Sequence, residues 1–456
     1  MKNSPLFLLI FLFVCVFAFP GFLFAEDFPA NSAIFERIFT KSFSEPLAFG
    51  FGESIKDTPR RTTSQRQPTR PPHVFPENLA PAVSKTQTFS FDVYRELIKD
   101  HEDGNLFFSP MSLYFGLSMV AMGAKGETRE QMLEVLGMED FGQAEKRQFL
   151  ELRKYFSYNT PNMRFFILNQ LWNDKSSTVM ATYQKDLKDF FGTSITPMDL
   201  KKQSEPSRLA INRWVNQVSG GKVRDLLSRG DVHEYTEFIL ANVMSFKGTW
   251  DLKFPKEKTI QRPFYLAKGT SKKVLMMEQT DDFYAYLDDS FQVVSLPYRG
   301  LELSMVILLP NKKDGLPALE AELTEELWQQ ITENMKSSEV NLRMPKFSMD
   351  SRLNLKPILE RMGMTDAFVF RKADFTDISK SGALFLDFVI QGASVEVNED
   401  GTEAVVVTMI GGGLGGMMEV PKKMNFHADH PFLFIIRDDS SGAILFMGRY
   451  VTPPGR

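Results

Sequence analysis

Cysteine is almost absent from this 456-residue chain, whose single example is Cys15, close to the start. A disulfide and thiol chemistry are therefore excluded from the rest of the chain. Histidine is scarce too, and the spacing of positions 73, 101, 233, 427 and 430 fits no metal-binding motif such as H-E-x-x-H. The G-x-S-x-G nucleophile motif is also missing. The sequence predicts a protein that is not an enzyme, needs no metal or cofactor, and is stabilised by packing alone.

An excess of charge of either sign is also lacking. The chain has 53 basic and 57 acidic side chains, so its formal net charge is −4, and no nucleic-acid partner is expected. Basic residues at 146, 147, 153 and 154 share one predicted helix, but Glu145 and Glu151 lie among them. This mixture favours a solvated helical face over a polyanion site.

The N-terminal residues 1–25 have the pattern of a signal peptide. Lys2 precedes an apolar run that ends at Ala25, and Glu26 and Asp27 follow directly. Cleavage after Ala25 predicts a secreted, extracellular protein. The alternative is an uncleaved membrane anchor, because about 20 apolar residues are long enough to span a bilayer. Residues 26–85 are rich in Pro, Ser, Thr and Arg, which predicts a disordered linker.

The remaining residues, 86–456, contain no linker-like break and are predicted to form one domain. Apolar residues first recur at helical spacing, and beyond Glu234 the period changes to two, as in strands. Helices followed by strands predict an α+β fold with large sheets. The predicted helices include 91–98, 112–122 and 127–136, and the predicted strands include 238–244, 292–296, 303–310 and 339–344.

Residues 404–418 form an uncharged segment that begins strand-like, AVVVTMI, and ends in glycines and methionines. Its glycines satisfy G-x-G-x-x-G, the start of a dinucleotide-binding unit. A phosphate-binding loop must open a helix, however, and Pro421 interrupts the second turn of any helix placed there. The segment is instead predicted to be a mobile loop that can become a strand.

The folded part resembles the serpins, the serine-protease-inhibitor superfamily, over about 370 residues. Several motifs carry the resemblance, and they occur in serpin order. They are Asn105-Leu-Phe-Phe-Ser-Pro-Met-Ser, Ile211-Asn-Arg-Trp-Val-Asn-Gln-Val-Ser-Gly-Gly-Lys-Val, Leu240-Ala-Asn-Val-Met-Ser-Phe-Lys-Gly-Thr-Trp, Ser295-Leu-Pro-Tyr, Met344-Pro-Lys-Phe, Ala373-Asp-Phe-Thr-Asp-Ile, Glu396-Val-Asn-Glu-Asp-Gly-Thr-Glu-Ala and Asp429-His-Pro-Phe-Leu-Phe.

The resemblance implies a serpin fold with three β-sheets, about nine helices and an exposed reactive-centre loop. It also implies a suicide-substrate mechanism. A serine endopeptidase attacks the loop and forms an acyl-enzyme, and the cleaved loop inserts into the main sheet and traps the enzyme. A monomer is expected. The alternative is a non-inhibitory serpin that acts as a carrier or is simply cut by proteases.

The hinge that the resemblance implies comprises Glu399, Gly401, Thr402, Glu403, Ala404 and Thr408. Strand alternation places Thr402, Ala404, Val406, Thr408 and Ile410 on one face, which carries no charge, so its burial leaves no ion unpaired. The run Val405 to Val407 departs from the family, whose inhibitory members resemble Ala or Gly there. Valine favours a strand but needs more space, and insertion is predicted to remain possible.

The reactive bond has two candidate positions. Counting from Gly401 as in inhibitory serpins places it at Gly415 and Gly416, whereas counting back from Pro431 allows Met417 or Met418. A methionine suits an elastase-, chymotrypsin- or subtilisin-like protease, and this partner class is preferred. Gating residues also follow from the resemblance: a polar cluster of Ser109, Ser112, Asn242 and Gln391 beneath the main sheet, and Trp250 where the loop enters. The family usually has histidine at the position of Gln391, whose amide both donates and accepts hydrogen bonds but cannot titrate near neutral pH.

Overall fold

In the part of the chain that the structure describes, nine α-helices lie before or between the strands along the sequence. The structure is a computed structural model that describes residues 74–453, with 102, 160–162, 268, 301, 383 and 403–422 excepted. The described residues belong to one compact unit. The helices are α1 Ala80–Lys99, α2 Pro110–Ala121, α3 Gly126–Val135, α4 Gln143–Tyr155, α5 Ala181–Asp186, α6 Ser204–Val218, α7 Leu316–Glu322, α8 Glu325–Asn334 and α9 Lys356–Arg361.

Sixteen strands in the described residues form two hydrogen-bonded sheets, of nine and seven strands. They are β1 Leu106–Phe108, β2 Tyr158–Asn159, β3 Met163–Asp174, β4 Ile195–Met198, β5 Phe238–Thr249, β6 Ile260–Tyr265, β7 Ser271–Leu287, β8 Phe291–Pro297, β9 Leu303–Pro310, β10 Lys336–Pro345, β11 Phe347–Asn354, β12 Phe388–Asn398, β13 Gly401–Thr402, β14 Met424–His427, β15 Phe432–Asp438 and β16 Ile444–Tyr450. The α+β prediction is confirmed.

The larger sheet has the order β1-β16-β15-β9-β8-β7-β10-β14, with β6 also paired to β7. The 17-residue strand β7 makes it continuous, since β6 pairs with the start of β7 and β8 with its last four residues. Dividing the larger sheet within β7 gives, with the smaller sheet, the three sheets that the resemblance implies. The central strand β9 is buried at every position, as expected for an apolar run without alternation.

The seven-stranded sheet, of order β11-β12-β13-β5-β3-β2 with β4 beside β3, packs one face on the helix α2. Every residue of α2 is buried, because its sequence is apolar nearly all round. Ser109 caps the helix by accepting a hydrogen bond from the backbone amide of Ser112, at 3.1 Å. The helix therefore begins directly beneath the sheet, and its polar cap is a buried feature.

The start of the folded part differs from its predicted position. A linker that extends to residue 85 is wrong at its end, because α1 begins at Ala80 and a short 3₁₀ turn precedes it. Pro81 lies in the first turn, where a missing amide hydrogen costs no hydrogen bond. Leu79, Ala82 and Val83 are buried in the main core, which stabilises this first turn. Residues 1–25, the predicted signal peptide, and residues 26–73 of the linker lie outside the described residues.

Within the described residues, none of the helices combines the length and the apolar character needed to cross a membrane.

Candidate functional site

Two neighbouring strands of the seven-stranded sheet, β5 and β12, are paired at one end and separated at the other. They pair in parallel from Phe388 opposite Ile239 to Gly392 opposite Val243. At the other end, β13 lies between them and pairs antiparallel with both, with Thr402 opposite Val397 on β12 and opposite Gly248 on β5. The sheet therefore contains a slot for a further strand, and the first two residues of that strand already occupy its open end.

Gly401 brings the chain into this slot by a backbone that glycine alone accommodates. Its φ is +151°, and an added Cβ would lie 2.2 Å from the carbonyl oxygen of Gly248. Thr402 follows and is 1% exposed, and its hydroxyl forms a 2.8 Å hydrogen bond with the hydroxyl of Tyr298. The predicted hinge residue Thr402 is therefore already buried before any cleavage of the loop.

Trp250 and Tyr298 form the floor of the entrance to the slot. Their rings stack with centroids 4.6 Å apart and an interplanar angle of 12°, and both are buried. The indole nitrogen of Trp250 donates to the carbonyl oxygen of Asn398 at 2.9 Å, and its amide donates to that of Asp400 at 3.0 Å. The structure thus places Trp250 against the turn between β12 and β13, where sequence reasoning expects the loop to enter.

Two acidic side chains fix this turn. Glu399 pairs with Lys346 at 2.9 Å, and Asp400 pairs with Lys253 at 3.0 Å and Lys256 at 3.1 Å. Burial raises the pKa of Glu399, but the hydrogen bonds from Lys346, a backbone amide and Thr259, together with the charge of Lys346, outweigh burial, and the pKa lies below its ordinary value. Burial also raises the pKa of Asp400, but the hydrogen bonds and charges of Lys253 and Lys256 together outweigh burial. The pKa of Asp400 is therefore lowered as well. Both carboxylates are therefore charged in the folded protein at neutral pH.

The paired end of the slot is closed by a row of buried amides. Gln391 on β12 lies opposite Asn242 on β5, which lies opposite Asn169 on β3. The Gln391 Nε2 donates to Asn242 Oδ1 at 2.5 Å, and Asn242 Nδ2 donates to Asn169 Oδ1. This amide row links three strands through their side chains, in addition to their backbone hydrogen bonds.

The amide row is also bonded to the start of α2. Gln391 accepts from the amide of Ser109 at 2.8 Å and donates to its carbonyl oxygen at 3.0 Å, while the Ser109 hydroxyl donates to the Leu445 carbonyl oxygen. Asn242 donates to the Ser112 carbonyl oxygen at 2.8 Å. The structure therefore brings Ser109, Ser112, Asn242 and Gln391 together, and an amide at 391 completes the network by using its donor and its acceptor.

A comparison with protein-family models identifies this arrangement. Residues 84–453 match the model described as Serpin (serine protease inhibitor). The chain belongs to the serpin family. Among its curated relatives, a leukocyte elastase inhibitor of Xenopus laevis is 36% identical over 386 residues, which cover 83% of this chain and 100% of the relative. Serpin B3 of Homo sapiens is 35% identical over 384 residues, 80% of this chain and 97% of the relative.

Solved serpin structures share the fold. Uncleaved ovalbumin superposes with a TM-score of 0.73 at 28% identity and covers 81% of this serpin and 99% of its own chain. Native protease nexin-1 with heparin gives a TM-score of 0.74 at 26% identity, with 82% and 100% covered. A thyroxine-binding globulin in complex with thyroxine gives 0.73 at 26% identity, with 82% and 100% covered. The fold is thus shared by ovalbumin, protease nexin-1 and a thyroxine-binding globulin.

The outer part of the predicted hinge and the predicted reactive bond lie outside the described residues. They are Glu403, Ala404, Thr408, Gly415, Gly416, Met417 and Met418.

On α4, Lys146 pairs with Asp186 at 2.7 Å and Lys154 with Glu151 at 2.8 Å, so two cations of that helix have acidic partners.

Sequence reasoning missed two residues of the site. Asn169 lies in the apolar strand β3, and a polar residue on the buried face of a strand is the signal that points to it. Tyr298 lies within a serpin motif, but its contact with Thr402 spans 104 residues of sequence and no local pattern indicates it.

Proposed function

We propose that this serpin is a secreted inhibitor of a serine endopeptidase and that it acts as a suicide substrate. The observation that carries the proposal is the slot between β5 and β12, whose open end already holds Gly401 and Thr402. Cleavage of the loop beyond Thr402 would free the segment to continue as a strand between them. The protease, bound to that segment as an acyl-enzyme, would then be carried along the sheet before it is released.

The register of β13 predicts where each loop residue would go. Each residue after Thr402 pairs one position further back on β12 and on β5, so Thr408 arrives opposite Gln391 and Asn242. An intervening strand increases the spacing between β12 and β5 from ~5 Å to ~10 Å. The hydrogen bond between Gln391 and Asn242 must then break, and the hydroxyl of Thr408 can accept from one amide and donate to the other.

The valine run is compatible with this register. Val406 would share the inner face with Thr402 and lie opposite Ala393 and Met244. Ala393 is small and buried, which offsets part of the volume that valine adds over the family's Ala or Gly. Well-fitted burial of a valine contributes ~1.5 kcal/mol or more to the inserted state. Insertion is therefore expected despite the departure at Val405 to Val407.

The target proposed is a protease with apolar primary specificity, such as an elastase-, chymotrypsin- or subtilisin-like enzyme. Relatives named leukocyte elastase inhibitors at 35% and 36% identity support this class. The loop supports it as well, since no basic residue occurs between Gly401 and Lys422. Met417 or Met418, or else Gly415 with Gly416, would supply the cleaved bond. Secretion follows from the signal-peptide pattern of residues 1–25, and a monomer is the proposed form.

The experiment is incubation of the purified protein with representatives of the three protease classes, followed by denaturing electrophoresis. A covalent complex that survives denaturation, together with loss of protease activity, supports the trap. Clean cleavage within 403–422 with full protease turnover would instead identify a non-inhibitory serpin, a carrier or simple substrate. Expression with residues 1–25 intact, and N-terminal sequencing of protein from the medium, tests secretion and cleavage after Ala25.

A further inference from the structure

The segment 219–232, here called the strap, crosses the outer face of the sheet between α6 and β5. It lies over the last paired position of the slot: an added Cβ on Gly392 would be 2.8 Å from Val223 Cγ1 and 2.9 Å from Leu226 Cδ1. Gly392 pairs with Val243 of β5. Leu226, together with its neighbour Leu227, is buried in a cluster that includes Val243. A strand that separates Gly392 from Val243 must therefore displace the strap.

One side of the strap is fastened to α6. Leu227 donates its amide to Asn212 Oδ1 at 2.8 Å, and Asn212 Nδ2 donates to the Leu227 carbonyl oxygen at 2.8 Å. Arg208 donates to the same carbonyl oxygen at 2.7 Å. These bonds hold the strap to a helix on the same side of the sheet, so they allow the strap and α6 to move together.

The other side of the strap is fastened to the sheet by Arg352 of β11. Its Nε donates to the Leu226 carbonyl oxygen at 2.5 Å, and a terminal guanidinium nitrogen forms an ion pair with Asp231. Asp231 also accepts from the amide of Ser228 at 2.7 Å, which joins the pair to the turn of the strap itself. Arg352 thus holds the strap at two points with one planar group.

Close packing between the strap and the sheet is provided by Val223 and Leu226 over Gly392 and does not extend across the whole of this side. A cavity of about 530 Å³ lies between the strap and the outer faces of β11 and β12, and its lining includes Lys222, Arg224, Ser348, Asp350 and Ser394. Side chains that border open space lack the close dispersion contacts of a packed interface. Toward the sheet, the strap is therefore held by the polar bonds of Arg352 on β11 and by an ion pair of Lys222 with Glu396 on β12, whose nitrogen and oxygen atoms lie 3.5 Å apart.

We propose that Arg352 is a positioning residue that clasps the strap to the sheet, and that opening this clasp is part of the barrier to loop insertion. The inference rests on the proposed function and deepens it. Insertion competes with hydrolysis of the acyl-enzyme, so the clasp sets the fraction of encounters that end in a trapped protease. Weakening the clasp accelerates insertion without touching the protease or the reactive bond.

The test compares Arg352→Gln with Arg361→Gln. Arg361 is a matched control because its side chain is 36% exposed, against 38% for Arg352, and it pairs with Glu96 and Asp100 on α1 and just beyond it, away from the slot. Hydrogen exchange of the uncleaved proteins measures the strap directly. Arg352→Gln is expected to speed exchange of 223–231 about three- to tenfold, the range for loss of one exposed ion pair with its hydrogen bond, while Arg361→Gln leaves it unchanged.

Insertion is then timed after the loop is nicked by a metalloprotease, which forms no acyl-enzyme. Tryptophan fluorescence reports the change, because Trp250 lies beside the hinge. Arg352→Gln is expected to insert about three- to tenfold faster than the parent, and Asp231→Asn should reproduce part of the gain. Unchanged strap exchange, or an insertion rate equal to that of Arg361→Gln, overturns the inference. A parent that inserts after the nick yet traps no protease overturns the proposed function alone.

Discussion

Replacement of Thr402 by arginine tests the slot at its most defined point. Thr402 is 1% exposed, and its hydroxyl is bonded to Tyr298. A buried guanidinium without a partner costs ~3–5 kcal/mol, and the lost hydroxyl bond adds ~1 kcal/mol. The four backbone pairings of β13 supply at most about 4 kcal/mol at ~1 kcal/mol each. The hinge of Thr402→Arg is therefore expected to leave the slot, and its insertion after cleavage is expected to fail.

The assay is the yield of denaturation-resistant complex with an apolar-specific protease, measured beside the rate of loop cleavage. Thr402→Arg should be cleaved at least as fast as the parent while its complex yield falls more than tenfold. Glu403→Arg is the matched control, because in a strand that continued from Thr402 the side chain of residue 403 would point to the opposite face. Thr402→Ser, which keeps the hydroxyl, should trap normally. Full trapping by Thr402→Arg, or an equal loss in Glu403→Arg, would refute the reasoning.

Three further predictions use the same geometry. Gly401→Ala places a Cβ 2.2 Å from a carbonyl oxygen of β5, so the hinge should leave the slot and 399–402 should exchange amide hydrogens faster; unchanged exchange would contradict this close approach. The pKa of Glu399 is lowered on folding, so the ionised carboxylate stabilises the folded protein above its unfolded pKa of about 4.3, and this stabilisation is lost as the pH falls through the lower folded pKa. Lys346→Met should therefore lower the melting temperature at pH 7 and make the melting temperature fall less steeply below about pH 4. Melting temperatures that fall in parallel with pH in the variant and the parent would count against the ion pair. Met417→Arg should create inhibition of a trypsin-like protease if the reactive bond follows Met417, whereas Gly415→Arg should do so if it follows Gly415, and activity assays on the two variants decide between them.

The sequence was informative about the gating residues because they lie within recognisable motifs. Ser109 stands at a helix start before a proline, and Asn242 is a polar residue inside an apolar strand, so both have a local signal. Their mutual contacts had to come from the resemblance, since 149 residues separate Asn242 from Gln391. The amide at 391 both accepts from and donates to the backbone of Ser109 and donates to Asn242, which uses the donor and the acceptor that an amide offers.

Other features depend on contacts that sequence patterns do not encode. The first turn of α1 resembles a linker in composition, and the burial of Leu79 and Val83 against the core makes it helical. The occupied state of the hinge depends on Gly401, which lacks the Cβ that would lie 2.2 Å from the carbonyl oxygen of Gly248 on another strand. Arg352 is an ordinary exposed residue of β11 until Asp231, 121 positions earlier, is placed beside it. Long-range packing decides each of these cases.

The closure of the slot is concentrated at two adjacent positions on opposite faces of the sheet. On the inner face, Gln391 and Asn242 are bonded across the slot beneath the sheet. On the outer face, the next residue, Gly392, lies under the strap that Arg352 clasps.

A strand advancing from Thr402 meets no comparable side-chain bond across the slot among the described residues before it reaches Gly392, because β12 and β5 pair only from Gly392 onward. The two fastenings must therefore open almost together, after which the backbone bonds of a full additional strand and the hydroxyl of Thr408 can replace what was lost. If both fastenings open in one transition state, their contributions to the barrier add, so a double variant that weakens Gln391 and Arg352 should accelerate insertion by about the product of the two separate effects, and a clearly smaller gain would show that they open in separate steps.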